Sequence, residues 1–232
     1  MPQRLALSAL FLLAAAACGG AEPAATRRPE AAPVLAVLSA SSGPGVAELR
    51  QGQGGAARAR FEAILAADPD RLGALSDLAV TYALDDRRDA ARSLLDAVVA
   101  QGGPREQQLA LVNLGELYAL EGYLAAAQTH FDTARSIDPL RPEPVLAQAL
   151  LASARGEREK ALGLAREAVR LDEGGAARAA LAFLAPEERL HLQALLAEAR
   201  GDREAAAARW RELLAGRFPV LAHAARLHLD AP

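Results

Sequence analysis

The chain is poor in several residue types. Its 232 residues include one cysteine, one lysine, one methionine and one tryptophan, and aromatics make up 4%. A lone cysteine excludes an internal disulfide and any zinc site built from cysteine pairs. Charge is nearly balanced at −3, so there is no general electrostatic drive toward nucleic acid or an anionic membrane surface. The longest uncharged apolar run, Leu5 to Ala17, has thirteen residues. As a helix it rises about 20 Å, short of the ~30 Å hydrocarbon core, which argues against a permanent transmembrane span. Phosphate-binding loops, a G-x-G-x-x-G turn after a strand and a G-x-S-x-G elbow are all missing. The four histidines, His130, His191, His223 and His228, are scattered and read as ordinary helix residues, so no metal, cofactor or catalytic set is expected and an enzyme is not. What is abundant is alanine, about a quarter of the chain, within an apolar total of 52%. Alanine is the best helix former, and the fold class expected is all-α.

The N-terminus has a positive head at Arg4, the apolar run, and then Ala15-Ala16-Ala17-Cys18-Gly19. That is the layout of a signal peptide over 1–17. With its small residues ahead of Cys18, the site resembles the lipobox of bacterial lipoproteins, although Ala15 stands where that family more often has leucine. The resemblance implies a lipid attached to Cys18, cleavage before it, and, with Gly19 following, the outer membrane, facing the periplasm. Cleavage nearby by an ordinary signal peptidase, giving a soluble periplasmic protein, is the alternative. Residues 18–44 are rich in Ala, Pro, Gly and Ser and read as a flexible tether. The apolar island Val34 to Leu38 offers docking on the folded body as the lesser option.

The body is periodic. Leu111, Leu114, Gly115 and Tyr118 fall on one helix face, Gly122 ends that helix, Ala127, Phe131 and Ala134 line the next, and Asp138-Pro139 stops it. This segment resembles the tetratricopeptide repeat, a helix–turn–helix of about 34 residues. The small Gly115, Ala127 and Ala134 allow close helix approach, and Phe131 fills the space they leave. The spacing recurs in units near 38–71, 72–105, 108–141, 142–175 and 187–220, with turns at Gly52, Asp86, Gly122, Gly156 and Gly201. Gly43-Pro44-Gly45 is expected to break the first unit's opening helix and leave it short or frayed. An apolar insert at 176–186 is expected to add a turn of helix, and 221–229 to cap the last apolar face. The resemblance implies a right-handed α-solenoid of about five such units over 45–232.

In that family the first helices line a concave groove. Matching the pattern puts Val80, Leu84, Val112, Glu116, Leu120, Leu146, Leu150 and Leu195 there, with His191 and Glu198 beside the last. The family's carboxylate clamp needs cations in the groove, and these positions have none. A groove of Val, Leu and Ala suits an apolar or amphipathic segment of an envelope protein. An open apolar groove also calls for a cover, either a partner or the tether. The layout is similar to pilotin lipoproteins of type IV pili and to repeat lipoproteins of gliding-motility complexes, which implies a non-catalytic scaffold held to the membrane by a lipid anchor. An accessory regulator of an envelope enzyme and a soluble chaperone-like binder are the rival readings. Oligomeric state is not legible.

Overall fold

A computed structural model of the chain describes residues 36–37, 43–179, 181–183 and 185–230. The signal segment 1–17 and Cys18 lie outside them. After strand β1 (Ala36–Val37), helices α1 (Pro44–Arg50) to α8 (Arg158–Leu171) run as four antiparallel pairs. The members between are α2 (Gly54–Ala67), α3 (Leu72–Leu84), α4 (Arg88–Gln101), α5 (Pro104–Leu120), α6 (Leu124–Ile137) and α7 (Pro142–Ala154). A short helix α9 (Ala176–Ala179) and strand β2 (Leu181–Ala182) follow, then a fifth pair, α10 (Pro186–Ala199) and α11 (Arg203–Leu214), and a closing helix α12 (Pro219–Leu229). Apart from the short α9, which lies against α7, each helix packs on the next, with α8 on α10, so the fold is an all-α solenoid of helix pairs.

Two local rules, written five times, build it. Within each pair the turn residue has positive φ: Gly52 (77°), Asp86 (60°), Gly122 (84°), Gly156 (78°) and Gly201 (84°). The next N–H donates to the carbonyl five residues back, as Tyr123 N does to Tyr118 O (2.9 Å) and Asp202 N to Ala197 O (2.9 Å). This is the Schellman closure, which ends a helix while satisfying its last carbonyls. Each first helix also places a small residue opposite a residue sixteen positions later: Gly45 and Phe61, Ala79 and Leu95, Gly115 and Phe131, Ala149 and Ala165, Ala194 and Trp210. A Cβ on Gly115 would lie 2.2 Å from the Phe131 ring, and one on Gly45 2.7 Å from that of Phe61. In these two pairs the missing Cβ is what lets the helices approach. Ion pairs then tie successive units: Arg92–Glu121 (3.1 Å), Arg105–Glu143 (2.5 Å), Arg135–Glu167 (2.5 Å) and Arg158–Glu198 (2.5 Å).

Three expectations are corrected. The opening helix is short, at seven residues, as expected, but Gly43-Pro44-Gly45 starts it rather than breaking it, because proline's missing N–H and fixed φ suit the first helical position. The insert is helical only over Ala176–Ala179 and then becomes β2, whose Leu181 and Ala182 pair antiparallel with Val37 and Ala36. Ala36–Val37, the described part of the apolar island, therefore dock on the body, which the sequence offered only as the lesser option. Ala182 enters an apolar cluster with Val46, Leu49, Ala57, Phe61, Leu78 and Val80, so the insert reaches from the fourth unit back to the first two.

Candidate functional site

The positions assigned to a concave groove are inside the protein. Val112, Leu146, Leu150 and Leu195 are fully buried, and Glu116, Leu120 and Val80 are at most 3% exposed; Leu84 is half-buried. The chain covers its own groove: Ala182 joins the apolar cluster that holds Val80, β1 lies along α5, and α9, α10 and α12 close around α7, all of whose residues are buried. Between α3 and α5 only a crevice of about 10 Å3 is left, lined by Ala79, Val80, Ala83 and Glu116 among others. The repeat-packing residues stand at the helix seams. Leu114, Ala127, Phe131 and Ala134 are buried, Tyr118 is half-buried and stacks on His130 with 5.0 Å between centroids, and exposed Pro139 follows α6.

The larger open space lies beside α10, where the insert runs toward the first unit. A cleft of about 610 Å3 lies between α10, the insert and the end of α1. Leu181, Leu192, Leu196, Ala197 and Phe183 supply its apolar lining, and Arg50, Arg178, Arg189, Arg200 and Arg209 its cations. Arg189, Leu192, Gln193, Leu196 and Arg200 are spaced as one face of α10. That face is one residue round from the expected His191, Leu195 and Glu198. The shift has a cause: α12 and α11 take up His191 and Glu198 from the other side. The sole acid on the cleft wall, Asp202, accepts the N–H of Ala205 at 3.0 Å and caps α11. Arg178 pairs with Asp172 at 3.2 Å. Among the described residues the other four arginines make no ion pair. Arg209 donates to Gln193 Oε1 and the Ala205 carbonyl, and Arg189 lies 5.3 Å over the Phe183 ring.

A second grouping joins residues far apart in sequence. Ser153 Oγ on α7 meets His191 Nε2 of α10 at 2.9 Å and His228 Nε2 of α12 at 3.2 Å. Glu198 Oε2 accepts from His228 Nδ1 at 2.7 Å and from Trp210 Nε1 at 3.0 Å, and Arg158 holds the other oxygen. The Trp210 ring stacks on His228 at 4.2 Å. Ser153, His228 and Glu198 stand in the order of a catalytic triad. Yet Ser153 and His191 are fully buried and the hydroxyl is shared between two imidazoles, so no substrate reaches it. Burial, helped by nearby His228, pushes His191 down to about 3, and it stays neutral at ordinary pH. For Glu198, burial pushes its value up, but the hydrogen bonds and charge of His228 and the bonds from Trp210 and Arg158 outweigh it and hold the carboxyl below its usual range. The group is a clasp that docks α12. No pattern in the sequence announces it, because its members lie 38 and 75 residues from Ser153 and meet only through packing.

A cleft of about 310 Å3 beside the clasp is lined by Arg158, Arg166, Arg203 and Trp210 among others. Groups of three metal-ligating side chains do not occur among the described residues, nor does a helix long and apolar enough to cross a membrane.

Residues 48–115 match the tetratricopeptide repeat family. The crystal structure of a thermophilic TPR protein in Thermus thermophilus is similar, with TM-score 0.55 and 24% identity over 80% of this chain and 95% of that one. MamA aligns over 82% of this chain and 99% of its own at TM-score 0.43 and 17% identity. Among curated proteins none matches. The fold is that of a tetratricopeptide α-solenoid.

Proposed function

We propose that this tetratricopeptide array is a non-catalytic scaffold that binds another envelope protein, is anchored to the outer membrane through lipid on Cys18, and helps assemble or position a larger machine. A pilus secretin and a gliding-motility complex are machines of the expected kind. The observation that carries the binding role is the 610 Å3 cleft, a concave space of ligand size walled by α10, the insert and α1. Support for the anchor comes from the sequence of residues 1–18 alone. Several acyl chains, each gaining about 0.8 kcal/mol per buried methylene, make a stable attachment.

The two halves are tested separately. A photo-crosslinking side chain at exposed Gln193 on the cleft wall should capture a protein partner in cells, while one at exposed Leu140, far along the array, should not. If neither position captures a protein, the scaffold reading falls. Wild-type protein should take up labelled palmitate and fractionate with the outer membrane, and Cys18→Ser should abolish both. An unlabelled wild type would remove the anchor.

A further inference from the structure

Resting on the scaffold reading, we propose that the cleft formed by α10, the insert and α1 takes an acidic segment of the partner in which carboxylates flank an apolar anchor side chain. The chain carries a formal charge of −3, so a local excess of cations needs a reason. Here four arginines, Arg50, Arg189, Arg200 and Arg209, face one space and make no ion pair among the described residues, and the single acid beside them is spent on a helix cap. Elsewhere arginines on the seams of the array are matched, as Arg92, Arg105, Arg135 and Arg158 are. A guanidinium fork prefers a carboxylate, which it can hold with two parallel hydrogen bonds.

The floor sets the second requirement. Leu181, Leu192 and Leu196 are buried to within 5% yet still line the cleft, with Phe183 beside them. Such a floor rewards an apolar side chain, and its arginine rim holds acids on either side. A nucleic-acid backbone would need a continued basic track, whereas these cations form one compact group around a cleft on an acidic protein. The volume suits a few residues of extended or helical peptide rather than a folded surface. Four of the lining residues, Arg178, Ala179, Leu181 and Phe183, belong to the insert, so the site is particular to a chain with these residues between its fourth and fifth units.

The test uses the full chain in detergent and a fluorescein-labelled peptide with two aspartates on each side of a Leu-Phe pair. Anisotropy should show binding that weakens with salt. Changing the four aspartates to asparagine, or Leu-Phe to Ser-Ser, should each weaken it by about tenfold or more, as two guanidinium–carboxylate contacts or one buried anchor would. Arg189→Gln/Arg200→Gln should do the same. Arg166→Gln/Arg203→Gln, which removes equal charge beside the other cleft, should change binding less than about twofold. Equal weakening by the two double variants, equal binding of the asparagine peptide, or binding of phosphatidylglycerol vesicles but not the peptide each overturns the proposal. If a protein is still captured at Gln193 while the acidic peptide fails, the chemistry assigned to the cleft is wrong and the scaffold stands.

Discussion

Gly115 and Gly122 are seven residues apart, and the chain needs each for a different reason. At Gly122 φ is 84° and a Cβ would meet nothing within 4 Å, so Gly122→Ala carries only the left-handed backbone cost, about 1–2 kcal/mol. At Gly115 the backbone is ordinary helix and the added Cβ strikes the Phe131 ring at 2.2 Å, so Gly115→Ala forces the pair apart at about 1–3 kcal/mol. Urea midpoints should fall for both at unchanged m, and Phe131→Leu should relieve the second variant but not the first. His191 gives a pH effect whose sign is fixed. Its value is lowered from 6.5 to about 3 on folding, so below 6.5 the unfolded chain takes a proton that the folded one refuses. The stability due to its neutral form is therefore complete above 6.5 and lost as pH falls toward 3, at about 1.4 kcal/mol per unit. The stability gap between wild type and His191→Gln should shrink by about 2 kcal/mol from pH 7 to pH 5 in urea titrations, and a constant gap would show that the imidazole is not the group responsible. The role of Gly115 is legible from its spacing to Phe131. That of His191 is not, since its burial depends on three helices meeting.

Among the helices, α7 and α12 show how an element's sequence and its setting combine. The α7 stretch, Pro142 to Ala154, is apolar on every side, which is how a helix wrapped by neighbours reads, and all of it is buried. The cap α12 covers the face that the fifth pair leaves bare, with Leu221, Ala224 and Ala225 buried and His228 on Trp210. Ending the chain after Arg217 should expose Trp210, the only tryptophan, and its emission should shift to the red with a loss of thermal stability. Unshifted emission would mean that α12 does not dock there. Of the helix starts, that of α11 has a side-chain cap, Asp202 on Ala205 N–H, and Asp202→Ala should lower stability by about 1 kcal/mol. The element that sequence patterns misread is the insert. Its alanine and leucine content favours helix, but strand pairing with Ala36–Val37 and contact with the first unit decide its form. Propensity is a weak prior that tertiary contact overrides.

Across the whole molecule, the insert makes the array more than a row of nearest neighbours. An open solenoid frays from its ends, and the short first pair would be the place. Ala182 instead links that pair to residues beyond the fourth, packing with Val46, Leu49 and Phe61. Ala182→Asp puts an unpaired carboxylate in this cluster at a cost of about 3–5 kcal/mol. Hydrogen exchange should then speed up over 44–67 and stay unchanged in α7 and α8. Uniform loss of protection would instead mean that the array unfolds as one unit. The same closure buries the groove that the repeat pattern assigns to a partner and leaves the Arg-rimmed cleft beside α10.

The sequence by itself determined the helix pairs, their turns and their small-against-large seams, because each rests on contacts within about 34 residues and is written again in every unit. Only the tertiary structure decided which face stays open. That outcome depends on contacts between segments more than a hundred residues apart, where β2 meets β1 and Ala182 meets the first unit. A repeat pattern records how each unit stacks on the next. It carries no record of a strand and insert folding back across the stack, and that fold is what buries Val80 and leaves Arg189 and Arg200 facing the cleft.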